Sequence, residues 1–215
     1  MLKKIYNIFK ILRKLSTSGA VETLNEIKPI PGSLKFIFFV FSIGFKINKE
    51  DLNKSSGDRL CEALEGMGTT FIKLGQFLAT RPDIIGNEVA GDLEKLQDKL
   101  PPFNSNEAKK ILLSEIGKDN FQNIEELSDP IAAASIAQVH LAKLKLDDQT
   151  VEVAIKILRP EIEKVFNEEL DALMLLAYIV ENTIVKTKRL KLIEVVHLLR
   201  EITNIEMDLR FEAAA

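Results

Sequence analysis

The chain has 215 residues, 46% of them apolar and 28% charged, with a formal net charge of −3; these are the proportions of a globular protein that can bury a core. The small negative charge, without a basic stripe interleaved with aromatics, excludes general affinity for nucleic acid. The lone Cys61 excludes an internal disulfide and points to a reducing compartment, and the two distant histidines, His140 and His197, lack the ligand spacing of a zinc site.

Residues 1–15 carry Lys3, Lys4, Lys10, Arg13 and Lys14 and no acid, while Ile5, Ile8, Phe9, Leu12 and Leu15 recur at helical spacing. This is a basic amphipathic helix, suited either to an anionic membrane surface or to docking on its own domain. Its charges interrupt the apolar core that a secretory signal needs. Pro29, Pro31 and Gly32 then break the chain. The run Phe36 to Phe45 is intensely apolar but only ten residues long, against about twenty for a bilayer span. It reads as a buried helix, or at most an interfacial one, and no segment is expected to cross a membrane. Asn48 to Gly57 is polar and reads as a loop or a helix start.

From Asp58 the period is helical again: Leu60, Leu64, Met67, Phe71, Leu74 and Leu78 recur every three or four residues until Arg81-Pro82-Asp83. Val89 to Leu100 is a further helix, stopped by Pro101-Pro102. Ser105 to Gly117 reads as another, with Ser105 as N-cap and Gly117 at its end. The pattern then changes. Val151, Val153, Ile155 and Ile157 alternate with Glu152, Ala154, Lys156 and Leu158, a strand period. Two helices follow, one over 160–181 and one from Leu190 to the end. The organisation is an N-terminal helical region (1–57), a helical extension (58–125) and a sheet-bearing region (126–215), an α+β class with helices around one antiparallel sheet.

Gly66-Met67-Gly68-Thr69-Thr70-Phe71 half-matches a dinucleotide fingerprint but lacks the third glycine and follows a helix rather than a strand. Ile131-Ala132-Ala133-Ala134-Ser135 is more informative. A loop that cradles phosphate needs small side chains so that backbone N–H groups reach the anion. The alternative is a buried small-residue turn or a helix start. About twenty residues later Lys156 sits on the alternating strand as an inward lysine, its stem in apolar surroundings; its ammonium needs an anion there, a phosphate or a carboxylate.

Here the chain resembles a known family. Val153-Ala154-Ile155-Lys156 matches the protein-kinase strand-lysine motif. The alanine loop, Gln138-Val139-His140 and Arg159-Pro160 resemble the UbiB (aarF-domain) family of atypical kinase-like proteins. So do Lys73-Leu74-Gly75-Gln76 with Thr80-Arg81-Pro82-Asp83, Leu96-Gln97-Asp98 through Pro101-Pro102, and Glu206-Met207-Asp208 with Glu212-Ala213. The resemblance runs from about residue 58 to 215. It implies a protein-kinase-like small lobe with a helical N-terminal extension that carries the Lys73-x-Gly75-Gln76 motif. It implies that Lys156 positions nucleotide phosphates and pairs with Glu212, and that Ala132, Ala133, Ala134 and Ser135 form the loop over the nucleotide. Lys73 and Gln76 would project toward Glu206 and Asp208, where a protein substrate would otherwise sit. ATP and magnesium are the family's cofactors, its activity is kinase-like or ATPase, and its role lies in ubiquinone biosynthesis at the inner membrane.

The spacing agrees in part. Lys73 and Gln76 are three apart and share one helix face; Glu206 and Asp208, two apart, do not, and Glu206 and Glu212 point differently. The sequence departs from the family in one respect. The catalytic loop with its base aspartate and asparagine, the Asp-Phe-Gly triplet and the adenine hinge are absent from these 215 residues. The expectation is therefore a small lobe with the C-terminal lobe missing, a truncated or split product that holds no catalytic base and no metal site and is inactive alone. A non-catalytic module that binds a lipid or a partner, or a decaying gene fragment, are the alternatives. The expected partners are a membrane surface, ubiquinone-pathway proteins and a separate C-terminal lobe. The expected place is cytoplasmic, peripheral on the inner membrane.

Overall fold

The computed structural model describes residues 2–27, 29–43, 54–96, 100–146, 149–183, 188 and 190–214. In chain order these form α1 (Leu2–Thr17), α2 (Ala20–Ile27), α3 (Gly32–Ser42), α4 (Ser56–Glu65), α5 (Thr69–Ala79), α6 (Pro82–Ile85), α7 (Asn87–Leu93) and α8 (Ser105–Phe121). Strands β1 (Ile124–Ala133), β2 (Ala137–Leu146) and β3 (Gln149–Leu158) follow, then α9 (Ile162–Thr183), α10 (Leu192–Met207) and α11 (Leu209–Ala213). The chain divides into two compact units, Met1–Gln97 with Val165–Ile205, and Asp98–Lys164 with Glu206–Ala215.

The first unit is helical. Its core joins Ile11 of α1, Leu60 and Leu64 of α4, Phe71 of α5, Leu93 of α7, Leu96 and Ala172 of α9. Each large side chain buried here stabilises the unit by about 1.5–3 kcal/mol. The helical period that runs from Leu60 to Leu78 is two helices rather than one. Gly68 adopts φ +111° between them, a backbone conformation that only glycine enters without strain. Ser55 caps α4, its hydroxyl accepting from Asp58 N–H at 3.0 Å and donating to Asp92 at 2.8 Å.

The N-terminal helix docks on its own unit. Ile11, Leu12 and Ser16 are buried, and Lys3, Lys4 and Lys10 reach Glu168, Asp171 and Glu169 of α9 at 2.5, 2.9 and 3.6 Å. The apolar run after Lys35 corrects the expectation of a buried helix. None of α3 is buried, and Phe36, Phe39 and Ile43 are 62–67% exposed. A helix that is apolar all round cannot turn every stripe inward against one neighbour, and α3 touches α1 along one line, where Phe9 meets Phe41 edge to face at 5.0 Å. No helix among the described residues is long and apolar enough to cross a membrane. Most of the polar stretch 48–57, and residues 44–45 of the apolar run, lie outside the described residues, as do Gln97 and Asp98.

The second unit holds a three-stranded antiparallel sheet, ordered β1-β2-β3. β2 and β3 pair without interruption from Ala137↔Leu158 to Leu146↔Gln149. One face packs Ile155 and Ile157 against Ala108 and Leu112 of α8. The cap of α8 is Asn104 rather than Ser105: the Asn104 side chain accepts from Asn106 N–H at 2.8 Å, while the Ser105 hydroxyl donates to Asp129 at 3.1 Å. The helix kinks at Gly117, φ +77°. The last helix is also two pieces. It breaks at Asp208, whose carboxylate accepts from Arg210 N–H at 3.1 Å and so starts α11.

Candidate functional site

The strand pairing sets the site. Register aligns Ala132 with Val139 and Val139 with Lys156. Directly paired residues share a face, so the three stand in a row across the sheet, opposite the face that α8 covers. This corrects the position of Lys156. Its stem does not run into the apolar core, because its neighbours Ile155 and Ile157 take that side. Its side chain is 32% exposed. Its ammonium reaches the Glu212 carboxylate of α11 at 2.5 Å, so the anion that the strand position demands is present as a carboxylate. Asp208 fixes where α11 begins, and its carboxyl is held below the usual range by Arg210, whose guanidinium lies at 2.6–2.7 Å.

The small-residue segment is not helical. Ala132 and Ala133 end β1, paired with Val139 and Gln138, and Ala134, Ser135 and Ile136 make the turn into β2. The turn closes by Ala134 N–H donating to the Ala137 carbonyl at 2.8 Å. Ser135 is fully buried, and its hydroxyl has no partner among the described residues.

Behind the turn lies a polar network that residue spacing alone does not reveal. Arg159 donates from Nε and Nη2 to the Ala134 carbonyl at 3.0 and 2.8 Å, and from Nη2 to the Pro101 carbonyl at 3.0 Å. Burial lowers its pKa from the ordinary arginine value. Gln138, fully buried, accepts from Phe103 N–H at 2.9 Å and donates to His140 Nε2 at 2.9 Å. His140 Nδ1 donates to the Ser128 carbonyl at 2.8 Å. The Ser128 hydroxyl in turn accepts from Leu141 N–H at 2.9 Å. These side chains replace ladder bonds that β1 loses at its register shifts around Pro130. The signal available in the sequence was an arginine directly after an apolar strand and a polar Gln-x-His alternation in the strand before it.

The remaining candidates lie on other elements. Lys73 and Gln76 are half-buried on α5, and Gln76 donates to the Leu96 carbonyl at 3.4 Å. Gly75 between them allows close packing, since a Cβ there would fall on Leu96 Cδ1 and Leu64 Cδ1. Glu206 is half-buried near the end of α10. A cleft of about 700 Å³ lies between Arg81–Gly86 and Leu190–Leu198. Its charges are neutralised in place by the Arg81–Asp83 and Lys191–Glu194 pairs. Among the described residues no group of three or more His, Cys, Asp or Glu side chains could hold a metal ion.

A family model described as ABC1 atypical kinase-like domain matches residues 95–215. The chain is 38% identical over 195 residues to the "Probable protein kinase UbiB" of Marinobacter nauticus, covering 90% of this chain and 35% of that protein. It is 34% identical over 215 residues to the protein of the same description from Vibrio atlanticus, covering 99% and 38%. The chain thus spans little more than a third of the length of the curated relatives it matches.

Proposed function

The chain belongs to the ABC1 atypical kinase-like family, and from that premise we propose that it is the phosphate-facing part of a UbiB-like protein serving ubiquinone biosynthesis at the inner membrane. The observation that carries the reading is the Lys156–Glu212 pair at 2.5 Å, on the sheet face shared with Ala132 and next to a turn that opens with Ala134 and Ser135 and tucks Ile136 into the core. In kinase-like folds a strand lysine paired with a helix glutamate orients nucleotide phosphates. The residues suit that role, with a cation on an open sheet face, held in place by one carboxylate, beside a turn narrow enough for backbone approach. Among the described residues no group of three or more His, Cys, Asp or Glu side chains gathers beside them, and no transfer step is assigned to them; their part is to bind and orient.

Fluorescence titration of the purified chain with a labelled ADP tests this. Saturable binding that weakens about tenfold or more in Lys156→Ala is expected, the scale of one charge-assisted contact. Binding indifferent to that substitution, or none at millimolar ADP, would overturn the reading. The chain alone is expected to give no ATP turnover, and robust magnesium-dependent hydrolysis lost in Lys156→Ala would refute a part confined to binding and orienting.

One observation favours a second reading, a lipid-facing module without nucleotide chemistry. Leu2, Ile5, Tyr6 and Phe9 form one exposed stripe on α1, and Phe36, Phe39, Val40 and Ile43 form another on α3. The Phe9–Phe41 contact joins the two helices. Neither helix contains an acid, and Lys14 and Lys35 flank the stripes, while Lys3, Lys4 and Lys10 are engaged by the α9 carboxylates. Apolar stripes edged by lysine suit an anionic membrane surface.

A further inference from the structure

We infer that Arg159 is a positioning residue that fastens the Ala134–Ile136 turn as a fixed wall of the phosphate site, where a glycine-rich loop would be a movable flap. The inference rests on the phosphate-facing reading above. Arg159 directly follows β3 and stands three positions beyond Lys156. Its guanidinium takes the Ala134 carbonyl with two donors, at 3.0 and 2.8 Å. Its own backbone N–H donates to the Ile136 carbonyl at 2.8 Å. One residue therefore grips the first and the last residue of a three-residue turn.

The same guanidinium also holds Pro101 through its carbonyl at 3.0 Å and lies 5.9 Å from the centre of the Phe103 ring. Gln138 ties Phe103 to β2 with bonds of 2.9 and 3.4 Å to its backbone N–H and carbonyl. The turn, the Pro101–Phe103 segment, β2 and the end of β3 are thus closed into one ring of hydrogen bonds. Displacing the turn would break several of them together. Fully buried Ser135 inside the turn agrees with a segment seated on the fold rather than held out over a ligand.

The chemistry selects arginine. A rigid planar fork can serve two carbonyls in fixed directions, whereas a lysine ammonium on a flexible stem cannot. The guanidinium has no carboxylate partner among the described residues, so its charge is met by carbonyl dipoles and the face of the Phe103 ring. A half-buried cation bonded in this way is costly as a mere surface contact. As the anchor of a preorganised anion site it has a use, because ligand binding then need not order the turn.

Arg159→Lys separates the fork from the charge. Hydrogen exchange of the 134–137 amides, read by mass spectrometry on the whole chain, should quicken at least about tenfold, and labelled-ADP affinity should fall about tenfold at unchanged net charge. Arg159→Gln, checked for folding by far-UV circular dichroism, should do the same or more. Lys156→Ala should weaken ADP binding while leaving exchange at 134–137 as in the wild type. Wild-type exchange and affinity in Arg159→Lys would overturn the inference. Faster exchange with undiminished ADP affinity would leave the turn fastened but refute its part in the site. Failure of the wild type to bind ADP would remove the phosphate-facing reading itself, a result distinct from either.

Discussion

Single residues explain why the motifs have their composition. Gly75 lies between Lys73 and Gln76 because α5 runs close to Leu64 and Leu96, with no room for a methyl group. Gly75→Ala should destabilise the first unit by about 1–3 kcal/mol through overpacking, measured as a lower urea midpoint at unchanged slope. An unchanged midpoint would mean that Leu96 moves aside freely. The pair Lys156–Glu212 was legible through the family resemblance, in which Glu212 partners the strand lysine, and not through the expected apolar stem, since Lys156 stands on the face opposite α8. Arg159 was visible as part of Arg159-Pro160, but its grip on Ala134 was not. Nothing in spacing says that a residue after β3 folds back on the turn before β2.

At the scale of elements, β3 was readable because Val and Ile alternate with other residues from Val151 to Leu158, whereas in β2 the buried face is Gln138, His140 and Ala142 and Leu141 points outward, the reverse of an apolar alternation. The first half of β1 was not readable either, since Glu125-Glu126-Leu127-Ser128-Asp129-Pro130 has the composition of a loop. It is strand only as a bulged edge, where proline is tolerated, and Ser128 and His140 make good the missing bonds. The single helix expected from Leu190 onward divides because Asp208 caps a new one, and the helix expected from Leu60 to Leu78 divides at Gly68. α3 departs furthest, since apolar composition gave an inside where the fold leaves an outside. If that stripe meets lipid, Phe36→Ser with Phe39→Ser should abolish co-flotation with phosphatidylglycerol-rich vesicles and leave labelled-ADP binding intact. The wild type should float with these vesicles and not with phosphatidylcholine vesicles. No flotation with either kind would refute the lipid-facing reading while leaving the nucleotide reading to its own test.

Across the whole molecule, ion pairs set the response to acid. Lys95 holds Asp58 and Asp92 below the ordinary carboxylate range with help from Ser55, Lys4 and then Arg200 hold Asp171 there, and Lys143 holds Glu126. A carboxyl depressed in the folded state contributes its full stability above its unfolded value, near pH 4, and loses it as pH falls through the folded value. The melting temperature should therefore be level from about pH 7 to 5 and drop below about pH 4. Asp171→Asn should melt lower at pH 7 and show a shallower drop. A melting temperature that holds to pH 2.5 would show that these pairs contribute nothing. Each compact unit is built from two stretches far apart in the chain, and this has a consequence for synthesis. Phe71 leaves the ribosome roughly a hundred residues before Ala172, which belongs to the same buried core. At about 5–20 residues per second the half-finished helical core waits on the order of ten seconds. Over the same interval the sheet between them emerges. The nascent chain thus carries open apolar surface for longest at its own beginning, and that is where a chaperone would find it.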